Sequence, residues 1–332
     1  MIIFNDMVML LGIDIGGTKC AVILGEKKKE DRIDLLEKEV IPTDRPVFAM
    51  IEALFALAEE MLDKNALAKE DLEGVGISCG GPLSSKKGLV LSPPNLPGWD
   101  HIPIVEMAQQ RFGVKSILQN DANACAMAEW KFGAGVGYSN VIFLTFGTGM
   151  GAGLILDGRL YSGTSDLAGE VGHLRLAEMG PVGFGKAGSF EGYCSGGGIA
   201  QLAQIMVREK LQMGENVSFC AGLADLPSLT AKLVAEAAYA GDELAILIYK
   251  TCGRYLGKGL SLLIDILNPE VIIMGSIYGR AKSLVEEDMQ ALIRQETLAD
   301  SRSVCQIVPA KLGEHIGDIA ALTLADMCSV NQ

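Results

Sequence analysis

Apolar positions in this chain fall into short unbroken runs that end in glycine, and into longer stretches with helical spacing. Val8 to Ile15 is an apolar run that stops at Gly16-Gly17-Thr18. Cys20 to Leu24 is a second, closed by Gly25 and the charged cluster Glu26 to Arg32. Together they predict a β-hairpin with a glycine turn. Leu35 to Ile41 predicts a third strand, and Val47 to Leu62 a helix with an acidic exposed side. Gly74 to Ser78 reads as a buried strand leading into Gly80-Gly81-Pro82. Ser92 to Gly98, with three prolines, reads as a loop. Pro103 to Phe112 predicts a short helix with proline in its first turn. Val114 to Leu118 predicts a strand that delivers Asn120 and Asp121, and Ala122 to Phe132 a helix.

The second half repeats the pattern. Asn140 to Phe146 and Leu154 to Leu156 predict strands, and Asp157-Gly158 is a hairpin turn. Ser162 to Ser195 is glycine-rich and irregular. Helices are predicted at Ile199–Lys210, Ser228–Ala240, Asp242–Leu267, Ile277–Arg294 and Gly317–Cys328, with strands at Val271–Met274 and Gln306–Pro309. Ile13-Asp14-Ile15-Gly16-Gly17-Thr18 aligns with Leu144-Thr145-Phe146-Gly147-Thr148-Gly149, 131 positions later. A strand, a glycine turn and a strand thus open each half, which predicts a duplicated α/β fold with a cleft between two lobes. The uncharged run Phe132 to Leu156 is broken by glycines, so it reads as loop and strands rather than as a membrane span.

Composition narrows the function. The 332 residues carry 28 basic and 41 acidic side chains, a net charge of −13, which argues against a nucleic-acid partner. The eight cysteines include no C-x-x-C and suit reduced thiols in the cytoplasm. The first cation is Lys19, and Asn5 and Asp6 interrupt the apolar start, so no signal peptide is expected; Met7 and Met9 are alternative start sites. Glycine is the outlier, at 40 residues against a usual share of about 7%.

Two glycine loops carry the candidate chemistry. In Asp14-Ile15-Gly16-Gly17-Thr18-Lys19 the backbone can bring its N–H groups close to an anion, Thr18 adds a hydroxyl, and Asp14 could hold Mg²⁺ directly or through water. Gly147-Thr148-Gly149-Met150-Gly151 is the second loop. It fits a G-x-G-x-x-A pattern with Ala152, but a strand follows where a dinucleotide fold needs a helix. No Walker-type G-x-x-x-x-G-K-[ST] is present. Asp121, between a strand and a helix, suits either a general base or a helix cap.

These loops occur in order with Pro94-Asn95-Leu96-Pro97-Gly98-Trp99, Asn120-Asp121-Ala122-Asn123 and Gly169-Glu170-Val171-Gly172-His173. The set resembles the ROK family (repressors, open reading frames, kinases) over nearly the whole chain. The resemblance implies a duplicated, actin-like, hexokinase-type (ribonuclease H-like) α/β fold of two lobes around an interlobe cleft. Its lobes would be residues 1–119, completed by a C-terminal helix at about 312–332, and residues 120–311. It implies ATP-dependent phosphorylation of a hexose at the 6-hydroxyl, glucose first, with N-acetylhexosamines, fructose, allose, β-glucosides or a non-catalytic sugar sensor as alternatives. Only 13 residues precede Asp14, where the family's repressors carry a helix-turn-helix, so the kinase branch is expected.

By the same resemblance, Asp121 is the catalytic base. Gly16, Gly17, Thr18, Lys19, Gly147, Thr148 and Gly149 hold phosphates, with Mg²⁺ at Asp14, and Gly275 lies on the adenosine side. Gly81, Asn95, Asn120, Asp121, Glu170, His173 and Glu191 hold the sugar. A homodimer is expected, with no membrane partner. One departure stands out. Where the family usually has C-x-C-G-x-x-G-C-[LM]-E, three of whose cysteines bind zinc with the preceding histidine, this chain has Val182, Phe184 and Ser189 at the cysteine positions, ahead of Glu191. No zinc site is therefore expected, with Val182 and Phe184 packing where the metal would sit.

Overall fold

The computed structural model describes residues 8–28 and 32–330. Met7, one of the alternative starts, lies outside them. The first half runs β1 (Val8–Ile15), β2 (Lys19–Lys28), β3 (Arg32–Pro42), α1 (Val47–Lys64) and β4 (Leu72–Cys79). A small sheet of β5 (Leu83–Ser84), β6 (Leu89–Leu91) and β7 (Asp100–Ile102) follows, then α2 (Ile104–Phe112), β8 (Ser116–Asn120) and α3 (Asp121–Phe132). The second half runs β9 (Val141–Leu144), β10 (Ala152–Leu156), β11 (Arg159–Leu160), β12 (Val182–Gly183), β13 (Lys186–Ala187), α4 (Phe190–Cys194), α5 (Gly196–Gln212), α6 (Ala231–Tyr239), α7 (Glu243–Leu267), β14 (Val271–Met274), α8 (Ser276–Glu296), α9 (Ala299–Val304), β15 (Gln306–Pro309) and α10 (Ile316–Val330).

The duplication is real at the level of topology. One sheet has the order β3-β2-β1-β4-β8 and the other β11-β10-β9-β14-β15. In each, an antiparallel glycine hairpin joins two parallel strands that follow later in the chain. The hairpins close alike: the Gly16 N–H donates to the Lys19 carbonyl at 3.1 Å, and the Gly147 N–H to the Gly149 carbonyl at 3.2 Å. Parallel strands buried on both faces read as continuous apolar runs, which is why β1, β4, β9 and β14 stand out in the sequence. Pro103 precedes α2 as its cap instead of opening its first turn. The small strands and α9 have no periodic signal, being too short to show one.

Each lobe has its own core, and a third lies between the sheets. Ala124, Met127 and Ala128 of α3 pack with Phe143, Ile273 and, from α10, Ala320 and Leu324. The opposite side of α10 puts Ala321, Leu322 and Ala325 against Leu10, Ala21 and Ile23 of the first sheet. This approach needs a floor without side chains. A Cβ on Gly12 would lie 2.9 Å from the Ala321 Cβ, one on Gly74 2.5 Å from the Cys328 Cβ, and one on Gly76 would collide with the Ala321 carbonyl. The acids of α10 are compensated. Buried Asp326 pairs with Lys27 at 2.8 Å and Lys131 at 3.4 Å, and Asp318 with Lys38 at 2.6 Å. Fully buried Glu129 of α3 accepts from the Ala134 N–H at 2.7 Å and the Leu312 N–H at 2.8 Å, tying α3 to the segment before α10. No helix among the described residues is long and apolar enough to cross a membrane.

Gly76→Ala should cost about 1–3 kcal/mol by overpacking, since the obstacle is helix backbone and not a movable side chain. Urea unfolding of the variant checks this, with Gly113→Ala, whose Cβ meets nothing within 4 Å, as a control that tests only its left-handed backbone. A Gly76→Ala midpoint equal to the parent's would show that α10 does not need the glycine floor.

Candidate functional site

The strand ends bring two carboxylates together. Asp14 lies near the end of β1, beside Ser78 of β4 in register. Asp121 opens α3 directly after β8. Both line one cavity of about 250 Å³ together with Gly16, Gly17, Gly81 and Asn95. Burial raises the Asp14 pKa to about 6; the Asp121 charge adds to the rise, and a hydrogen bond from Ser78 opposes it. The Asp121 carboxylate keeps an open face on the cleft but is otherwise surrounded by protein, and this desolvation raises its pKa against the pull of the Ala122 N–H. Asn120 is the cap of α3: its Oδ1 accepts from the Ala122 N–H at 3.0 Å, an N–H that Asp121 Oδ1 shares at 2.8 Å. The amide nitrogen of Asn120 is left beside Gly81, 3.3 Å from where a Cβ there would stand. Asn123 is buried, donating to Gln119 Oε1 at 3.1 Å, with its own Oδ1 unpartnered.

The two glycine loops line neighbouring cavities. Gly17 lies against the Asn95 backbone, 2.5 Å from the Asn95 carbonyl to a would-be Cβ. Thr18 and Lys19 are exposed and do not line the 250 Å³ cavity. Gly147 and Thr148 border a larger cavity of about 830 Å³ with Gly196, Lys232, Tyr239 and Arg280. A third, of about 280 Å³, is lined by Gly147, Gly275, Ser276, Arg280 and Cys125. Cys125, one turn after Asp121, also lines the Asp14 cavity, so the spaces meet around α3 and the second loop. Gly149 packs near Glu191, whose Oε2 accepts from the Met150 N–H at 3.0 Å and so fixes that loop to α4.

Glu170, His173 and Glu191 gather on the second lobe's side. Burial raises the Glu170 pKa; His173 opposes the rise while the Asp121 and Glu191 charges add to it. Those couplings bring the predicted sugar-side groups within electrostatic reach of the predicted base. In the altered segment, Ser189 caps α4, accepting from the Gly192 N–H at 3.1 Å. Phe184 packs edge-on against the His173 ring, with centroids 5.1 Å apart, yet stays 71% exposed. Val182 does not pack inward as expected. It is an exposed residue of β12, held through its backbone N–H and carbonyl by the Gln201 side chain. Cys194 is fully buried and directed at the Cys252 carbonyl, 3.5 Å away. With one imidazole and no thiolate at this place, the residues do not fit a zinc ion, which takes three or four N or S ligands.

Several site residues escaped the sequence reading. Ser78 was hidden inside an apolar run. Ser195 caps α5, accepting from the Gly198 N–H at 2.9 Å, and so places the α5 N-terminus on the second loop, where the Gly196 N–H donates to the Gly147 carbonyl at 2.7 Å. A serine before three glycines was the available signal. Arg280 had no motif.

The raised Asp14 pKa has a sign that can be checked. Its folded-state value of about 6 lies above the unfolded 3.8, so its contribution to stability is complete below pH 3.8 and is lost as pH rises through 6. Asp14→Asn should therefore raise Tm above pH 6, by roughly 2–4 °C, with the gain vanishing near pH 4. A thermal melt series over pH decides it; a pH-independent difference would refute the burial argument.

The chain is similar to known proteins over nearly its whole length. The ROK family model matches residues 10–327. A glucokinase of Streptomyces coelicolor is 30% identical over 96% of this chain and 98% of its own length. A xylose repressor of Caldicellulosiruptor bescii is 27% identical over 98% of this chain and 80% of its own. A ROK-family glucokinase from Streptomyces griseus, solved with glucose and AMPPNP, superimposes with a TM-score of 0.71 at 30% identity, covering 97% of this chain and all of that one. With its duplicated sheets and a family match over nearly its whole length, the chain has the actin-like fold and belongs to the ROK family.

Proposed function

We propose that this protein is an ATP-dependent hexose kinase that phosphorylates the 6-hydroxyl, with glucose as the first candidate and N-acetylhexosamines, fructose, allose and β-glucosides behind it. The observation that carries the reading is Asp121. Its carboxylate shares the Ala122 N–H with Asn120, keeps an open face on the cleft, and lies with Asp14 in one cavity beside the first glycine loop. The glucokinase relatives support it.

In this reading the 830 Å³ cavity takes the nucleoside, within the size range of about 300–1,000 Å³ usual for ligand sites. The α5 N-terminus and the amides of Gly147, Thr148 and Gly149 receive phosphate oxygens, and Gly16, Gly17 and Thr18 do so from the other lobe, with Lys19 nearby. Gly275 and Ser276 border the nucleoside. Asp14 would hold Mg²⁺ directly or through water; one carboxylate plus substrate phosphates is a donor set that suits this ion. The ion supplies neutralisation of phosphate charge. Asn120, Glu170, His173, Glu191, Asn95 and Gly81 bind and orient the sugar. Asp121 then accepts the hydroxyl proton as that oxygen bonds to the γ-phosphorus and the bond to the ADP oxygen breaks. Its raised pKa moves it toward neutrality, where a base is most effective. The same reading gives a cytoplasmic homodimer without zinc.

The xylose repressor relatives favour a second reading, a sugar sensor. An ADP-release assay over a sugar panel separates the two: turnover identifies the kinase, whereas sugar-induced stabilisation without turnover identifies the sensor.

Asp121→Asn should lower kcat by about 10²–10⁴-fold while the glucose Kd, from calorimetry, changes little. A variant as fast as the parent would remove Asp121 from the mechanism. Metal analysis finding one tightly held zinc per chain would overturn the zinc-free reading.

A further inference from the structure

Away from α10, a polar contact between Ser85 and Asp166 joins the two lobes. Ser85 follows β5 in the small sheet, whose Leu83, Val90 and Ile102 belong to the first lobe's core. Asp166 lies in the loop that leads from β11 to Glu170 in the second lobe. The Ser85 N–H donates to Asp166 Oδ2 at 3.0 Å, and the Ser85 hydroxyl donates to Oδ1 at 2.5 Å. One residue thus engages both oxygens of the carboxylate, and hydrogen bonds to a charged acceptor are about twice as strong as neutral ones. Both residues are half-buried.

The loop is fixed at its ends and dependent on this contact at its tip. The Ala168 N–H donates to the Ser162 carbonyl at 3.1 Å, and the Ala152 N–H to the Gly169 carbonyl at 2.8 Å. Gly169, at φ +93, is pressed onto the Ala152 carbonyl, where any side chain would collide. Asp166 itself has φ +59, a conformation that aspartate tolerates better than most residues but still at a cost. The Ser85 pair offsets that cost. Glu170 is four residues on, so the position of the tip relative to the first lobe governs how Glu170 stands against Asn95 and Gly81.

We propose that Ser85 and Asp166 form an interlobe clasp that holds the sugar side of the cleft shut, making Asp166 a positioning residue for Glu170 and a determinant of sugar affinity. The role in sugar affinity rests on the hexose-kinase reading; the clasp itself does not. A protein whose binding-competent closed state is less populated has its apparent affinity reduced by that fraction. Neither residue reaches the phosphate loops or Asp121, so turnover at saturation should survive.

Steady-state kinetics with glucose and small-angle X-ray scattering test this on the full chain. Asp166→Ala and Ser85→Ala should each raise the glucose KM by roughly tenfold with kcat within about twofold. The double variant should be no worse than either single one, because both remove the same interaction. Ser85→Thr, which keeps the N–H and the hydroxyl, should restore a near-parental KM. Scattering of the sugar-free single variants should show a larger radius of gyration than the parent. An unchanged KM, a fall in kcat at constant KM, or additive effects in the double variant would overturn the positioning role. Should the parent phosphorylate no sugar, the hexose-kinase reading fails, and the scattering comparison still decides the clasp: equal radii overturn it.

Discussion

The close approach of α10 to the first sheet is the constraint on which the rest depends. Three glycines on β1 and β4 clear a floor, and the helix backbone settles on it. The other side of α10 meets α3 and the second sheet. One helix therefore sets the distance between two half-molecules that do not share a sheet. It also closes the chain, because its N-terminus stands beside Asp14: a Cβ on Gly317 would lie 3.9 Å from the Asp14 carboxylate. The glycine surplus in the sequence is thus partly architectural and only partly a matter of loops.

Placing sheets this way brings like charges together. Asp14 and Asp121 share a small cavity, and Glu170 and Glu191 lie within electrostatic range. Such an arrangement is unfavourable for folding, since each charge raises the cost of the next. The fold compensates at a distance, through the Lys27–Asp326–Lys131 and Lys38–Asp318 pairs around α10. Among the described residues, Asp14 and Asp121 pair directly with no cation: Ser78 hydrogen-bonds Asp14, the Ala122 N–H donates to Asp121, and Lys38 acts on Asp14 only at a distance.

Much of this was legible in the residues, for identifiable reasons. The parallel strands were visible because burial on both faces leaves no polar position to break the run, as in Val271 to Met274. The duplication was visible because a hairpin that must turn tightly needs glycine in both halves. Asp121 was visible because a carboxylate between strand and helix has few roles. Contacts that depend on tertiary placement left no trace. Nothing local marks Ser85 and Asp166 as partners, since they are 81 residues apart. Nor does anything local reveal that Val182 stays at the surface: a short hairpin exposes alternate residues whatever their polarity, and Gln201 satisfies its backbone. Arg280 gained its place between two cavities only when α8 met the second loop.

The repeat is symmetric in backbone and not in charge. Asp14 in the first half corresponds to Thr145 in the second. The Thr145 hydroxyl is spent inside its own turn, accepting from the Gly151 N–H at 2.8 Å, while the Asp14 carboxylate looks into the cleft. A scaffold copied onto itself has thereby become an oriented one. An elongated polyanion laid across the gap meets a carboxylate at one end and amides, with Lys232 and Arg280 beyond them, at the other, so the two directions of lying there differ in energy before any base or sugar is recognised.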